Sequence, residues 1–126
     1  MNTQTSNLTT RKHFDLFKKE FKKWQKKFEL SYLRIAYFHE KIDGRAEIRY
    51  DLDNHTVRLS FDTDWGDSDP INESTICGAA KHEAIHLLLA ELSVAGRSKD
   101  YTTRDCDIAE EKLVRKLSVI IGGRNE

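Results

Sequence analysis

The segment His82-Glu83-Ala84-Ile85-His86 sets two imidazoles and one carboxylate within five residues. On a helix, residues four apart share a face, so both imidazoles can reach one ion. Zinc accepts histidine nitrogen at about 2.0–2.1 Å. Glu83 lies ~100° round the helix from His82, which takes its carboxylate out of line with the pair as a ligand. From there it can touch a water held at the ion. That position suits a general base: zinc lowers the pKa of bound water to about 7, and a carboxylate takes the proton as the water attacks a carbonyl. The competing reading is a pair of core histidines bonded to the backbone. It is the less favoured, because polar groups on an apolar helix need partners, and leaving one unsatisfied costs roughly 2–7 kcal/mol.

Such a centre needs a third protein ligand. The extended pattern HExxHxxGxxH is absent, since Leu89 stands at the glycine position and Leu92 at the third histidine. An acidic residue from a second helix is the remaining choice, with Glu110, Glu111 and Asp107 as candidates. With Glu110 at zero and about 100° per residue, Leu113, Val114, Leu117 and Ile121 fall at about −60°, 40°, −20° and 20°. Glu110 is thus expected at the centre of a buried stripe, where a lone carboxylate is costly unless paired or bound to metal. Glu111 comes next and Asp107 third. The alternative is a solvated acid near the start of a helix, favoured by the macrodipole. A tetrahedral oxyanion also needs a donor. Tyr101 and Arg97 are the candidates, with surface positions as the alternative for both. His13, His39 and His55 read as surface or strand residues, and Cys106 as a small buried thiol.

These groups must be positioned by elements that the periodicity locates. Residues 11–28 carry Phe14, Phe17, Phe21, Trp24 and Phe28 three and four apart, one aromatic stripe of an amphipathic helix. Strands are predicted over residues 32–40, 46–52 and 55–61, where apolar and polar residues alternate. Asp53-Asn54 signals a tight turn between the last two. The expected sheet is a three-stranded, mainly antiparallel meander with one face buried. An acidic loop over 62–72 follows, with Asn72 as N-cap of a helix reaching about residue 92. That helix is apolar on nearly every face beyond Ala84, so it is expected in the core. Gly78 and Ala79, one turn before the ligands, leave room for an ion and a substrate. A loop over 93–102 leads to a last helix over 103–121, with Thr102 and Asp105 as a capping pair and Gly122-Gly123 as its stop. The class is α+β.

At 126 residues, with 33% charged and 10% aromatic side chains, the chain fits one folded domain rather than a disordered one. Residues 1–10 read as a flexible tail and 11–126 as the domain. Two cysteines, Cys77 and Cys106, fit a reducing compartment, and no apolar run reaches the ~20 residues of a membrane span. The expected location is the cytoplasm, with no membrane partner. Lys+Arg and Asp+Glu are both 21, but residues 11–28 hold eight Lys/Arg against Asp15 and Glu20. A local +6 therefore rides on a body of −6. A solvated lysine face is the plain reading; the Lys/Arg of 11–28 also allow a weak nucleic-acid contact. Nothing in the sequence defines the oligomeric state.

The order of helix, three strands, HExxH helix and acidic helix resembles the minimal gluzincin fold. The runs Trp24-Gln25-Lys26-Lys27-Phe28-Glu29-Leu30, His82-Glu83-Ala84-Ile85-His86-Leu87-Leu88-Leu89 and Ala109-Glu110-Glu111-Lys112-Leu113-Val114-Arg115-Lys116-Leu117 are similar to small phage- or prophage-encoded metallopeptidases. The resemblance spans residues 20–121. It implies a zincin-like domain, a zinc ion bound by two histidines and a glutamate of the last helix, the HExxH glutamate as base, and a peptide or protein substrate laid along an edge strand. Two other functions fit the same motif. One is a non-catalytic metal-binding phage protein acting on a host partner; the other is a DNA-associated, SprT-like protease using the basic helix.

Overall fold

The computed structural model describes residues 6–67, 69–97 and 103–122. Helix α1, Arg11–Lys27, begins where expected. The Thr10 hydroxyl accepts from His13 N (3.3 Å), and His13 Nδ1 accepts from Thr10 N (3.0 Å), so two of the helix start's free donors are satisfied reciprocally. Phe14, Phe17, Phe21 and Phe28 are buried and Trp24 is half-buried. Gln25 is buried as well, and its Nε2 donates to the carbonyls of Leu30 and Leu33 (3.0 Å each). Those bonds hold the reversal into the sheet, where Glu29 takes a left-handed φ of 61°.

The sheet consists of β1 (Arg34–Glu40), β2 (Ala46–Asp51) and β3 (Thr56–Asp62). Its order is β1-β3-β2, with β1 parallel and β2 antiparallel to β3. The expected antiparallel meander is thereby corrected to a mixed sheet. Alternation identifies which face each strand buries, but it carries no information on which strands are neighbours. The crossing from β1 past β3 is secured by a residue whose role the sequence did not announce. Asp62 is 1% exposed, and its carboxylate accepts from Lys41 Nζ (3.1 Å), Ile42 N (3.4 Å) and Asp64 N (3.1 Å). A buried carboxylate is tolerated there because its lone pairs meet those donors.

The registers align Tyr37 with Leu59 and Ile48, and His39 with Phe61 and Ala46, all on the face that α1 covers. Phe17 stacks on Phe61 with centroids 4.6 Å apart, and Phe14 on His39 at 4.9 Å. The chain ahead of α1 is anchored too. Leu8 bridges Asp64, Thr9 N donates to Thr63 O (2.9 Å) and Trp65 N to Asn7 O (3.0 Å). The backbone groups of residues 7–9 thus find partners in the 63–65 segment, and Thr10 caps α1.

Helix α2, Glu73–Leu88, starts at Asn72, whose side chain accepts from Thr75 N (2.9 Å). It stops at Leu89, earlier than residue 92, and α3 (Ala90–Arg97) occupies much of the expected loop. No proline or glycine marks that break, so the apolar pattern runs through it unaltered. Helix α4, Thr103–Gly122, packs chiefly on α3. The expected Thr102–Asp105 cap lies outside the described residues. The architecture is α+β, with four helices and a mixed three-stranded sheet.

Candidate functional site

Helix α2 is two-sided. Ile76, Ala79, Ala80, Glu83, Ala84, Leu87 and Leu88 are buried, whereas His82, Ile85, His86 and Leu89 form an open ridge. The helix thus departs from the all-round burial expected of it. The two histidines stand in solvent, which removes the reading of core histidines satisfied by backbone.

His82 Nε2 and His86 Nε2 lie 3.2 Å apart, with ring planes at 78°. Two nitrogens at about 2.0–2.1 Å from a tetrahedral zinc are separated by about 3.3–3.4 Å. The observed separation is close to that value, and it also places the two nitrogens within hydrogen-bond distance of each other. Gly78, one turn earlier, has nothing within 4 Å of where a Cβ would stand, so the approach over that turn is open. Ala79, expected to share this opening, is buried at 2% exposure.

Glu83 lies on the buried side of α2, next to the ridge, and is 7% exposed. Burial pushes its carboxyl up to about 7, a rise tempered by the Arg45 charge and reinforced by that of Glu47. The start of β2 and the residue before it therefore supply the charges that modify this effect of burial. A sequence reading had no means of pairing residues 45 and 47 with residue 83, because the contact depends on α2 packing against β2.

The edge strand beside Glu83 is β2. Asp62 N donates to Arg45 O (2.9 Å), so residues 45 and 62 form a hydrogen-bonded pair. Such pairs alternate along an antiparallel ladder. In the register of β2 on β3, the main-chain N–H and C=O of Ala46, Ile48 and Tyr50 accordingly face away from β3.

The third ligand is not assembled as expected. Among the described residues, no group of three His, Cys, Asp or Glu side chains could hold a metal ion. Glu110 is exposed, as are Glu111 and Asp107. Ala109 is buried and Leu113 and Leu117 are half-buried, while Val114 is 49% exposed. The inward face of α4 is thus turned roughly 60° from the one predicted, and Glu110 leaves its centre. Arg97 ends α3, but its side chain, like Tyr101, lies outside the described residues.

The other histidines, read from the sequence as surface or strand residues, lie in a helix cap, a strand and a turn. His13 closes the α1 cap, and His39 Nε2 hydrogen-bonds Thr9 Oγ1 at 2.7 Å. His55 occupies a left-handed turn position with its ring edge-on to Tyr32. Among the described residues no helix is long and apolar enough to cross a membrane. No protein-family model matches the chain, and no curated protein or solved structure matches it either.

Proposed function

We propose that the chain is a zincin-like metallopeptidase in which His82 and His86 hold zinc and Glu83 is the general base. The observation that carries this reading is the 3.2 Å separation of two exposed Nε2 atoms on one helix face. Two histidines in water gain little from one mutual hydrogen bond, whereas their spacing suits two corners of a tetrahedral ion.

Zinc, when bound, supplies Lewis acidity toward a water and a substrate carbonyl. The rest falls to side chains of this chain. Glu83, with its carboxyl pushed up to about 7, can both accept a proton from the attacking water and return it to the leaving amine near neutral pH. The outward N–H and C=O groups of Ala46, Ile48 and Tyr50 offer an extended peptide a strand to pair with, next to Glu83. The open turn at Gly78 leaves space for substrate above the histidines. We assign the third protein ligand to α4, Glu110 first and Glu111 next. Both carboxylates are exposed. Arg97 and Tyr101 are retained as candidate oxyanion donors.

The test joins metal content to hydrolysis. Protein purified without chelator should carry zinc and cleave an unfolded protein substrate. Glu83→Gln should keep the zinc and lose at least about 100-fold in rate, the scale of general-base catalysis. Undiminished cleavage by Glu83→Gln would remove the mechanism; a stoichiometric metal with no cleavage of any peptide would favour the non-catalytic host-interaction reading.

A further inference from the structure

The lysines of α1 are not used alike. Lys18 pairs with Asp15 (3.4 Å) and Lys23 with Glu20 (2.9 Å), and Arg11 also meets Asp15 (3.2 Å). Among the described residues no carboxylate lies within ion-pair distance of Lys12, Lys19, Lys22, Lys26 or Lys27, all of which are exposed. Lys12, Lys19 and Lys26 are seven residues apart, hence within about 40° of one another around the helix and about 10.5 Å apart along it. They fall directly opposite the buried Phe14-Phe17-Phe21 stripe. The result is a line of three free lysines on a rigid helix, about 21 Å from end to end, with Asp15 beside it held by Arg11 and Lys18. Helix α2 adds a further cation on another side of α1, at Trp24. Lys81 Nζ sits 4.9 Å from the Trp24 ring centroid, and Lys27 Nζ reaches the same ring at 5.2 Å.

We propose that this line of lysines binds the phosphate backbone of nucleic acid. A helix with +6 on an otherwise acidic body orients toward a polyanion. The free lysines recur at fixed intervals along one line, as suits an extended polymer of regularly repeated charge. A lipid surface is the poorer partner, because membrane-lying helices bury an apolar face in the bilayer. Here that face is committed to the sheet, with Phe17 and Phe21 at 0% exposure. Contact is to phosphate alone, so no base sequence is selected. The inference is independent of the metal reading and is tested in the presence of a chelator.

The experiment is fluorescence anisotropy of the full chain with a labelled 20-bp duplex DNA from 50 to 200 mM salt. About four phosphate contacts give a slope of log K against log salt of roughly −3.6, so affinity falls about 100-fold across that range. Lys12→Gln/Lys19→Gln/Lys26→Gln should weaken binding at 50 mM salt by at least about 10-fold and flatten the slope by about 3. Arg49→Gln/Arg115→Gln, which removes exposed cations elsewhere, should leave both unchanged. Circular dichroism of the variants separates loss of contact from loss of fold. Absence of DNA binding at 50 mM salt, an unaltered slope in the folded triple variant, or tighter binding to polyglutamate or to 3:7 phosphatidylserine/phosphatidylcholine vesicles would overturn the proposal.

Discussion

The unit from α1 through α2 and the pair α3–α4 are built on different principles. The first is a continuous aromatic and aliphatic core, in which Phe17, Phe21, Leu59, Phe61 and Ile76 are fully buried between sheet and helices. It fixes the histidine pair to within hydrogen-bond distance. In the second, Ala109 is buried, Leu113 and Leu117 are only half-buried, and Ile108 and Val114 stand 47% and 49% exposed. The described side chains of α4 make a shallow contact, and such a contact specifies a helix's axial rotation weakly. The two halves of the proposed centre thus have unequal foundations: the histidines are held by one helix's own geometry, while the acidic ligand depends on how α4 turns.

That contrast can be broken by mutation. Phe61→Ala should cost about 3–5 kcal/mol, and Val114→Ala should stay within about 0.5 kcal/mol, both by urea unfolding. Equal losses would mean that α4 belongs to the same core. Next in size is the ligand question. Glu110→Gln should weaken zinc binding about 10–100-fold, or about 1.4–2.8 kcal/mol, with Glu111→Gln near neutral. The reverse order would move the ligand one residue along α4.

A smaller effect arises at Glu83. Its carboxyl is raised in the fold from 4.5 to about 7, chiefly by burial, so the fold binds this proton more tightly than the unfolded chain does. Stability from the protonated group is full below 4.5 and is lost as pH rises through 7. In metal-free protein, Glu83→Gln should therefore raise stability by about 1–2 kcal/mol above pH 7, after allowance for solvent screening. The gain should vanish below pH 4.5, and a constant gain across pH would refer it to packing instead. Smallest is Gly78→Ala, expected to add up to about 1 kcal/mol by helix propensity, since the new methyl meets open space. A loss there would mean that the face is covered.

What was legible in the sequence follows the same division. The aromatic stripe of α1, the three strands and the Asn72 cap rest on local periodicity and capping chemistry, and each appears within a few residues of its expected place. The histidine spacing is likewise local: residues four apart on a helix meet whatever surrounds them. Strand order was not legible, because β1 and β3 become parallel neighbours through a crossing held by the long-range contacts of Asp62. Nor was the environment of Glu83, which depends on β2 lying against α2. The Glu110 wheel assumed that Leu113, Val114 and Leu117 shared one buried face. Val114 does not, and a single exposed member is enough to turn the stripe away from Glu110.

The central claim is that His82 and His86 share a zinc ion, and X-ray absorption at the zinc edge tests it most directly on the full chain loaded with one equivalent. The account predicts two imidazole nitrogens at about 2.0–2.1 Å with oxygen completing the shell, and loss of one imidazole in His86→Ala. A shell containing sulfur near 2.3 Å, or a spectrum unchanged by His86→Ala, would contradict it.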